Sequence, residues 1–327
     1  MAADFLKMKK YLFLTWALGA ACAALAQQPY PSRPIQIVVT AAPGSSADIL
    51  ARIFGDEWGR QLGQPVLVDN RPGAGGNIAA ELVARAKPDG YTVLLASTST
   101  HGINPSLYAS MRFDPVKDFA PISRLASSPN VLVVPAASPA QSIKDLVAIA
   151  KSKPGELSYS SGGSGTSQHL AGEMFAAATG TKLLHVPYKS APQSMNAVLA
   201  GEVNMSFVSV PVALAQAKSR SVKALGVTSL EAVSTWPELP TIASQGLPGF
   251  NVSAWFGLAA PAGTPPAVIE RLATSAHKVL GLPAIKSKLQ DQGMEVVSDT
   301  PTEFSAFIKS EIVRWGNVVK ASGAKLE

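Results

Sequence analysis

Two runs of small residues constrain this chain most. One is Thr40-Ala41-Ala42-Pro43-Gly44-Ser45-Ser46-Ala47-Asp48, and the other is Ser160-Ser161-Gly162-Gly163-Ser164-Gly165-Thr166-Ser167. Each follows an apolar stretch that reads as a strand and leads into a stretch that reads as a helix. Such a loop presents unpaired backbone N–H groups at a helix N-terminus, where the partial positive charge favours an anion. Two of them, more than a hundred residues apart, predict two α/β units that meet around a small acidic ligand.

The periodicity fits that reading. Ile35 to Thr40 is an apolar run. From Asp48 to Leu62, Ile49, Ile53, Phe54, Trp58 and Leu62 fall on one helical face. Pro65 to Val68 and Tyr91 to Ala96 read as strands, with a helix over Asn77 to Ala86 between them. A second unit is expected to begin with a strand at Asn130 to Pro135. A helix over Ser142 to Lys151, a strand over Leu157 to Ser160 and a helix over Gln168 to Ala178 follow. Leu183 to Tyr188, Val203 to Val208, Val222 to Thr228 and Val252 to Ala259 read as further strands. Thr264 is expected to cap a helix running through Leu280, and the last helix spans Thr302 to Lys320. Strands alternating with helices predict a largely parallel sheet covered by helices. The break points fall near Ser128-Pro129 and near Asn251. This gives a division into 27–128 with 252–327, and 129–251. If the C-terminal part returns to the first unit, two strands cross between the units, a hinge architecture.

The N-terminus reads as an export signal. Lys7, Lys9 and Lys10 precede an apolar stretch from Tyr11 to Leu18, and Ala24-Leu25-Ala26 fits a small-x-small cleavage site, with Met8 an alternative start. Cys22 is the single cysteine and would be removed with residues 1–26, leaving a chain that depends on its core instead of disulfides. The net charge is +6, and loss of Lys7, Lys9, Lys10 and Asp4 would leave +4. No basic run or basic–aromatic stripe points to nucleic acid.

Six further segments occur in order: Tyr30-Pro31-Ser32-Arg33-Pro34-Ile35, Asn70-Arg71-Pro72-Gly73-Ala74-Gly75-Gly76-Asn77, Pro88-Asp89-Gly90-Tyr91-Thr92, Asp114-Pro115-Val116-Lys117-Asp118-Phe119, His185-Val186-Pro187-Tyr188-Lys189 and Ser253-Ala254-Trp255-Phe256-Gly257. With them the chain resembles the Bug-type receptors, periplasmic solute-binding components of tripartite tricarboxylate transporters. The resemblance covers nearly the whole chain after residue 26. It implies the type II periplasmic binding protein fold: two α/β lobes joined by two crossing strands, with a ligand cleft between them. It implies binding of a small carboxylate or amide, no catalysis, no cofactor and no metal. The implied partners are membrane transporter subunits, or a sensor protein, with the receptor itself a monomer in the periplasm.

The resemblance also implies a grip made of backbone amides, hydroxyls and water in place of an arginine clamp. In the first loop Pro43, Gly44, Ser45 and Ser46 match that grip, with serines at positions 45 and 46 where relatives favour glycine. Asn77 is a candidate contact or a helix cap. Thr98, Thr100 and His101 follow the third strand, where open α/β sheets place ligands. In the second loop Ser164, Gly165, Thr166 and Ser167 are the candidates, with His169 one turn into the helix. Tyr188 and Pro187 are expected to form a wall. Many relatives carry Asp or Asn after the strand that ends here in Val208-Ser209, so a ligand ammonium group would lose its counter-charge. This favours a ligand with a neutral, hydroxylated or apolar distal end.

An enzyme is the rival reading. Gly162-Gly163-Ser164-Gly165-Thr166 is not the G-x-S-x-G nucleophile elbow. Gly73-Ala74-Gly75-Gly76-Asn77-Ile78 departs from G-x-G-x-x-G at its last position, and no phosphate-loop motif occurs. No His, Asp and Glu spacing resembles a metal site.

Overall fold

The computed structural model of the protein describes residues 30–322, and side chains through residue 320. The expected export signal, with Cys22, lies outside the described residues. In the first part of the chain β1 (Ile35–Val39), α1 (Ser46–Leu62), β2 (Val66–Asn70), α2 (Asn77–Ala84), β3 (Thr92–Ser97) and the short α3 (Asn104–Leu107) alternate as the periodicity predicts. A single 17-residue strand, β4 (Phe119–Pro135), follows. The second part holds α4 (Ile143–Ser152), β5 (Ser158–Ser161), α5 (Ser167–Thr179), β6 (Leu184–Pro187), α6 (Ala191–Leu199), β7 (Met205–Ser209), α7 (Val210–Lys218) and β8 (Val222–Val227). The chain then returns through β9 (Ser253–Pro261), α8 (Pro266–Gly281), α9 (Pro283–Asp291), β10 (Glu295–Val296) and α10 (Pro301–Ser322).

The strands order as β2-β1-β3-β9-β4-β7-β5-β6, with β8 and β10 also paired to β4. β1 runs parallel to β2 and β3, and β5 runs parallel to β6 and β7. β4 joins the two halves. Residues Phe119 to Pro129 pair antiparallel with β9, and Asn130 to Pro135 pair antiparallel with β7 and β8. The result is two α/β lobes sharing one long strand, with the Asn251–Ser253 segment crossing back beside it.

Each half has its own core. Ile35, Ile37, Val39, Leu50, Phe54 and Trp58 bury one face of β1 and α1 against α8. The Trp58 indole N–H donates to Ser275 Oγ at 2.8 Å within that layer. In the other half Tyr159, Phe175, Phe207 and Phe250 form the centre of the core, and Trp315 and Val319 of α10 join it. The last helix therefore reaches beyond the half in which it starts. Glu311 accepts hydrogen bonds from the indoles of both Trp255 (2.9 Å) and Trp315 (2.8 Å), tying β9 to α10.

The structure corrects three readings. The second unit does not begin with a new strand at Asn130, because β4 is already extended from Phe119. Thr264 does not cap α8: its hydroxyl donates to the Pro261 carbonyl, and Pro265 holds the cap position. The segments 191–199, 210–218 and 283–291 are helices that the periodicity did not distinguish.

Candidate functional site

The C-terminal ends of the parallel strands in both halves open onto one cleft of about 780 Å³. Both small-residue loops line it. In the first, Ser45 caps α1, its hydroxyl accepting the Asp48 N–H at 3.3 Å. The Asp48 carboxylate folds back to accept the Gly44 N–H and pairs with Arg52. Burial alone would raise the Asp48 carboxyl. The bonds from Arg52, Gly44 and Asn70, with the Arg52 charge, outweigh it and hold the group below its ordinary value. In the second loop Thr166 caps α5, accepting from the His169 N–H and donating to the Gly163 carbonyl.

Most loop N–H groups are consumed locally. Gly44, Ser45, Gly162, Gly163, Gly165 and Thr166 all donate to acceptors within or beside their own loop. The N–H groups of Ser46, Ala47, Ser164, Ser167 and Gln168 have no protein acceptor among the described residues, and all five residues line the cleft. A helix start leaves its first N–H groups unpaired and concentrates positive potential on them. Here two helix starts on opposite walls aim such groups at the same space.

The lining carries no Asp, Glu, Arg or His; Lys189 at the rim is its one charged side chain, and Tyr108 and Tyr188 are neutral phenols. Ala41, Ala42, Ala74, Ala254, Pro72, Pro187 and Phe256 make much of the remaining surface apolar. The Tyr188 hydroxyl donates to Glu202 at 3.0 Å, which leaves its ring as wall. At one end the halves touch: a Cβ added to Gly165, at φ +78°, would lie 2.8 Å from Asn104 Oδ1.

The sequence candidates separate into two groups. Ser45, Ser46, Thr98, Ser164, Thr166, Ser167, Tyr188 and Ser209 lie on the cleft wall. Pro43, Gly44, Asn77, Thr100, His101, Gly165, His169 and Val208 lie off it. The reasons are physical. Pro43 and Gly44 turn out to solvent. Asn77 Oδ1 accepts from Asn104 at 2.7 Å. Thr100 bonds to His101 Nδ1 at 2.9 Å, and both are fully buried. Val208 packs in a core cluster with Val131 and Val198. His169 Nδ1 accepts the Gly165 N–H, and its ring stacks on His185, centroids 4.1 Å apart. Burial lowers His101 to about 3 and His169 to about 4. Burial, then the neighbouring His169, lowers His185 to about 3. These imidazoles are neutral scaffold: His185 Nε2 lies 2.7 Å from Ser161 Oγ, which in turn bonds Gly163 and shapes the loop.

The residue reading missed Tyr108, Ser128, Asn130, Gln168, Lys189 and Phe256 as lining. For Ser128 and Asn130 a signal was available. They flank a proline at a proposed break point, and alternation puts both on one face of an extended strand.

The comparisons with known proteins decide the family. Residues 50–324 match the tripartite tricarboxylate transporter family receptor. The chain belongs to that family. Protein BugT of Bordetella pertussis is 35% identical over 95% of this chain and 96% of its own length. A UPF0065 protein from the tcbD-tcbE intergenic region of Pseudomonas sp. strain P51 is 40% identical over 89% of this chain and 86% of its own. Among solved structures, adipate-bound Rpa4515 of R. palustris superposes with a TM-score of 0.87 at 33% identity, over 91% of this chain and all of that one. The periplasmic binding protein BugD gives 0.84 at 34% identity, with the same coverage of both chains. Malate-bound MatC of Rhodopseudomonas palustris gives 0.82 at 29% identity, over 89% of this chain and all of that one. The fold is that of the periplasmic solute-binding receptors, and the family is one of receptors, not enzymes.

Proposed function

We propose that this receptor captures a small carboxylate or its amide between its two lobes in the periplasm and delivers it to the membrane subunits of a tripartite transporter. The observation that carries this is the set of five unpaired N–H groups, from Ser46, Ala47, Ser164, Ser167 and Gln168, converging on a cleft with no acidic lining residue. Charge-assisted hydrogen bonds contribute about 1.5–3 kcal/mol each, so three of them hold a carboxylate with micromolar affinity after ordering costs. Adipate and malate in the cited relatives support the ligand class. The lobes are 27–128 with 252–327, and 129–251, with α10 bridging them. Residues 1–26 are the cleaved export signal, and the receptor acts as a monomer. Ligand contacts come from Ser45, Ser46, Thr98, Ser164, Thr166, Ser167, Tyr188 and Ser209.

A thermal-shift panel of mono- and dicarboxylates, amides and amino acids tests this, because a ligand that binds only the native state raises apparent stability. Adipate, malate or another simple carboxylate is expected to raise Tm by several degrees at saturating concentration. A panel in which only cationic or sugar ligands shift Tm overturns the reading.

A further inference from the structure

Four buried side-chain atoms lack a protein partner among the described residues: His101 Nε2, Asn104 Oδ1, Thr235 Oγ1 and Ser128 Oγ. Of these four residues, Ser128 alone lines the cleft. It is 2% exposed and sits on β4, two residues before Asn130. Its antiparallel neighbour in β9 is Ala254, which offers no polar side chain. A nearby buried hydroxyl behaves differently: Thr98 Oγ1 accepts the Trp255 N–H at 2.6 Å and faces the Trp255 carbonyl, so β9 consumes it. Residues two apart on an extended strand share a face, and Asn130 marks that face as the cleft side. Its Nδ2 donates to Ser167 Oγ at 3.3 Å, at the start of α5 on the second-loop wall of the cleft. One amide hydrogen of Asn130 is used there, and the second has no acceptor among the described residues.

We propose that Ser128 is a ligand-contacting specificity residue, its hydroxyl donating to an oxygen of the bound carboxylate at the floor of the cleft. The proposal rests on the carboxylate reading above. An unsatisfied buried hydroxyl carries its full desolvation cost, which a ligand oxygen removes. Ser128 Oγ–H and the spare Asn130 N–H form a pair of donors and, with no acidic group in the lining, suit an oxygen acceptor such as a carboxylate, hydroxyl or carbonyl oxygen. Because β4 runs through both lobes, this contact joins the ligand to the connecting strand as well as to the two walls.

The test is calorimetric titration of wild type and Ser128→Ala with adipate, malate and benzoate, alongside ligand-free melting curves. Removing a hydroxyl that has no protein partner leaves ligand-free Tm unchanged or slightly higher, while affinity for the bound carboxylate falls about fivefold to thirtyfold. Ser128→Thr, which keeps the hydroxyl, retains more of the affinity than the alanine variant. Equal affinities of wild type and Ser128→Ala overturn the proposal. A ligand-free Ser128→Ala protein that melts several degrees lower also overturns it, since the hydroxyl is then structural. If neither these three acids nor any other carboxylate of the thermal-shift panel binds wild type, the carboxylate reading falls and this inference with it, a result distinct from binding that ignores position 128.

Discussion

Gly76 shows how tightly single positions are held at the cleft wall. It sits at φ +93°, and a Cβ there would lie 2.8 Å from Thr40 Cβ and 2.9 Å from Thr100 Cγ2. Left-handed strain and overpacking act together, so Gly76→Ala is expected to cost about 2–3 kcal/mol in urea unfolding. An unchanged midpoint would show that the Gly73–Asn77 turn can relax. The histidines give a second expectation. His101, His169 and His185 fall to about 3, 4 and 3 in the fold from an ordinary 6.5. The unfolded chain therefore takes up protons first as the solution is acidified. Stability is fully present above about pH 7 and declines from about pH 6.5 toward 3. Melting curves across pH 4–8 check the slope, and NMR titration of the imidazole C–H signals assigns it. A flat profile would mean that water reaches these rings. None of this was legible in the sequence. His101 and His169 stand beside small polar residues, as ligand contacts would, and only the packing of Phe119 and His185 against them shows that they are scaffold.

The strand–loop–helix devices were legible because each combines three independent signals: a short apolar run, residues that tolerate a tight turn, and an amphipathic helix with a hydroxyl at its start. Thr166 is the clearest case, since its side chain both caps α5 and closes the turn onto Gly163. Thr166→Ala is expected to lose about 1 kcal/mol of stability and also to weaken carboxylate binding, while Thr166→Ser keeps both. Parallel melting and titration of the two variants separate the effects. Binding unchanged in the alanine variant would remove the second loop from the site. The first half of β4 was not legible, again for a physical reason. Pro121, Ser123, Arg124, Ser127, Ser128 and Pro129 give no alternation, and register shifts interrupt the pairing between Pro121 and Ser123 and between Arg124 and Ala126. What keeps this stretch extended is its partner β9, far away in sequence. The helices 191–199 and 210–218 were hidden by their brevity and by prolines at their first turns. Such prolines start helices as readily as they end strands.

For the molecule as a whole, the proposed capture of a ligand between two lobes turns on the crossing segments, and Thr228 ties those segments together. Thr228 follows β8 and is fully buried. Its N–H donates to the Asn130 carbonyl, and its carbonyl accepts the Val252 N–H. Its hydroxyl accepts the Asn130 N–H at 2.8 Å and donates to the Val252 carbonyl. Four hydrogen bonds thus converge from both crossings, within two residues of Ser128. Thr228→Val keeps the shape and removes the two bonds made by the hydroxyl. It leaves the Asn130 N–H and the Val252 carbonyl buried without a partner, at about 1–3 kcal/mol for each. A loss of about 2–6 kcal/mol in ligand-free unfolding is therefore expected. This contrasts with Ser128→Ala, which is expected to weaken binding but not the ligand-free fold. If the tie sets the angle between the lobes, small-angle scattering of the ligand-free Thr228→Val protein will show a larger radius of gyration than wild type. Saturating carboxylate is expected to draw the two profiles together, because in the proposed mode the ligand bridges both walls and so favours a closed arrangement. Identical scattering with lowered stability would mean that Thr228 secures the crossing strands without governing the motion about them.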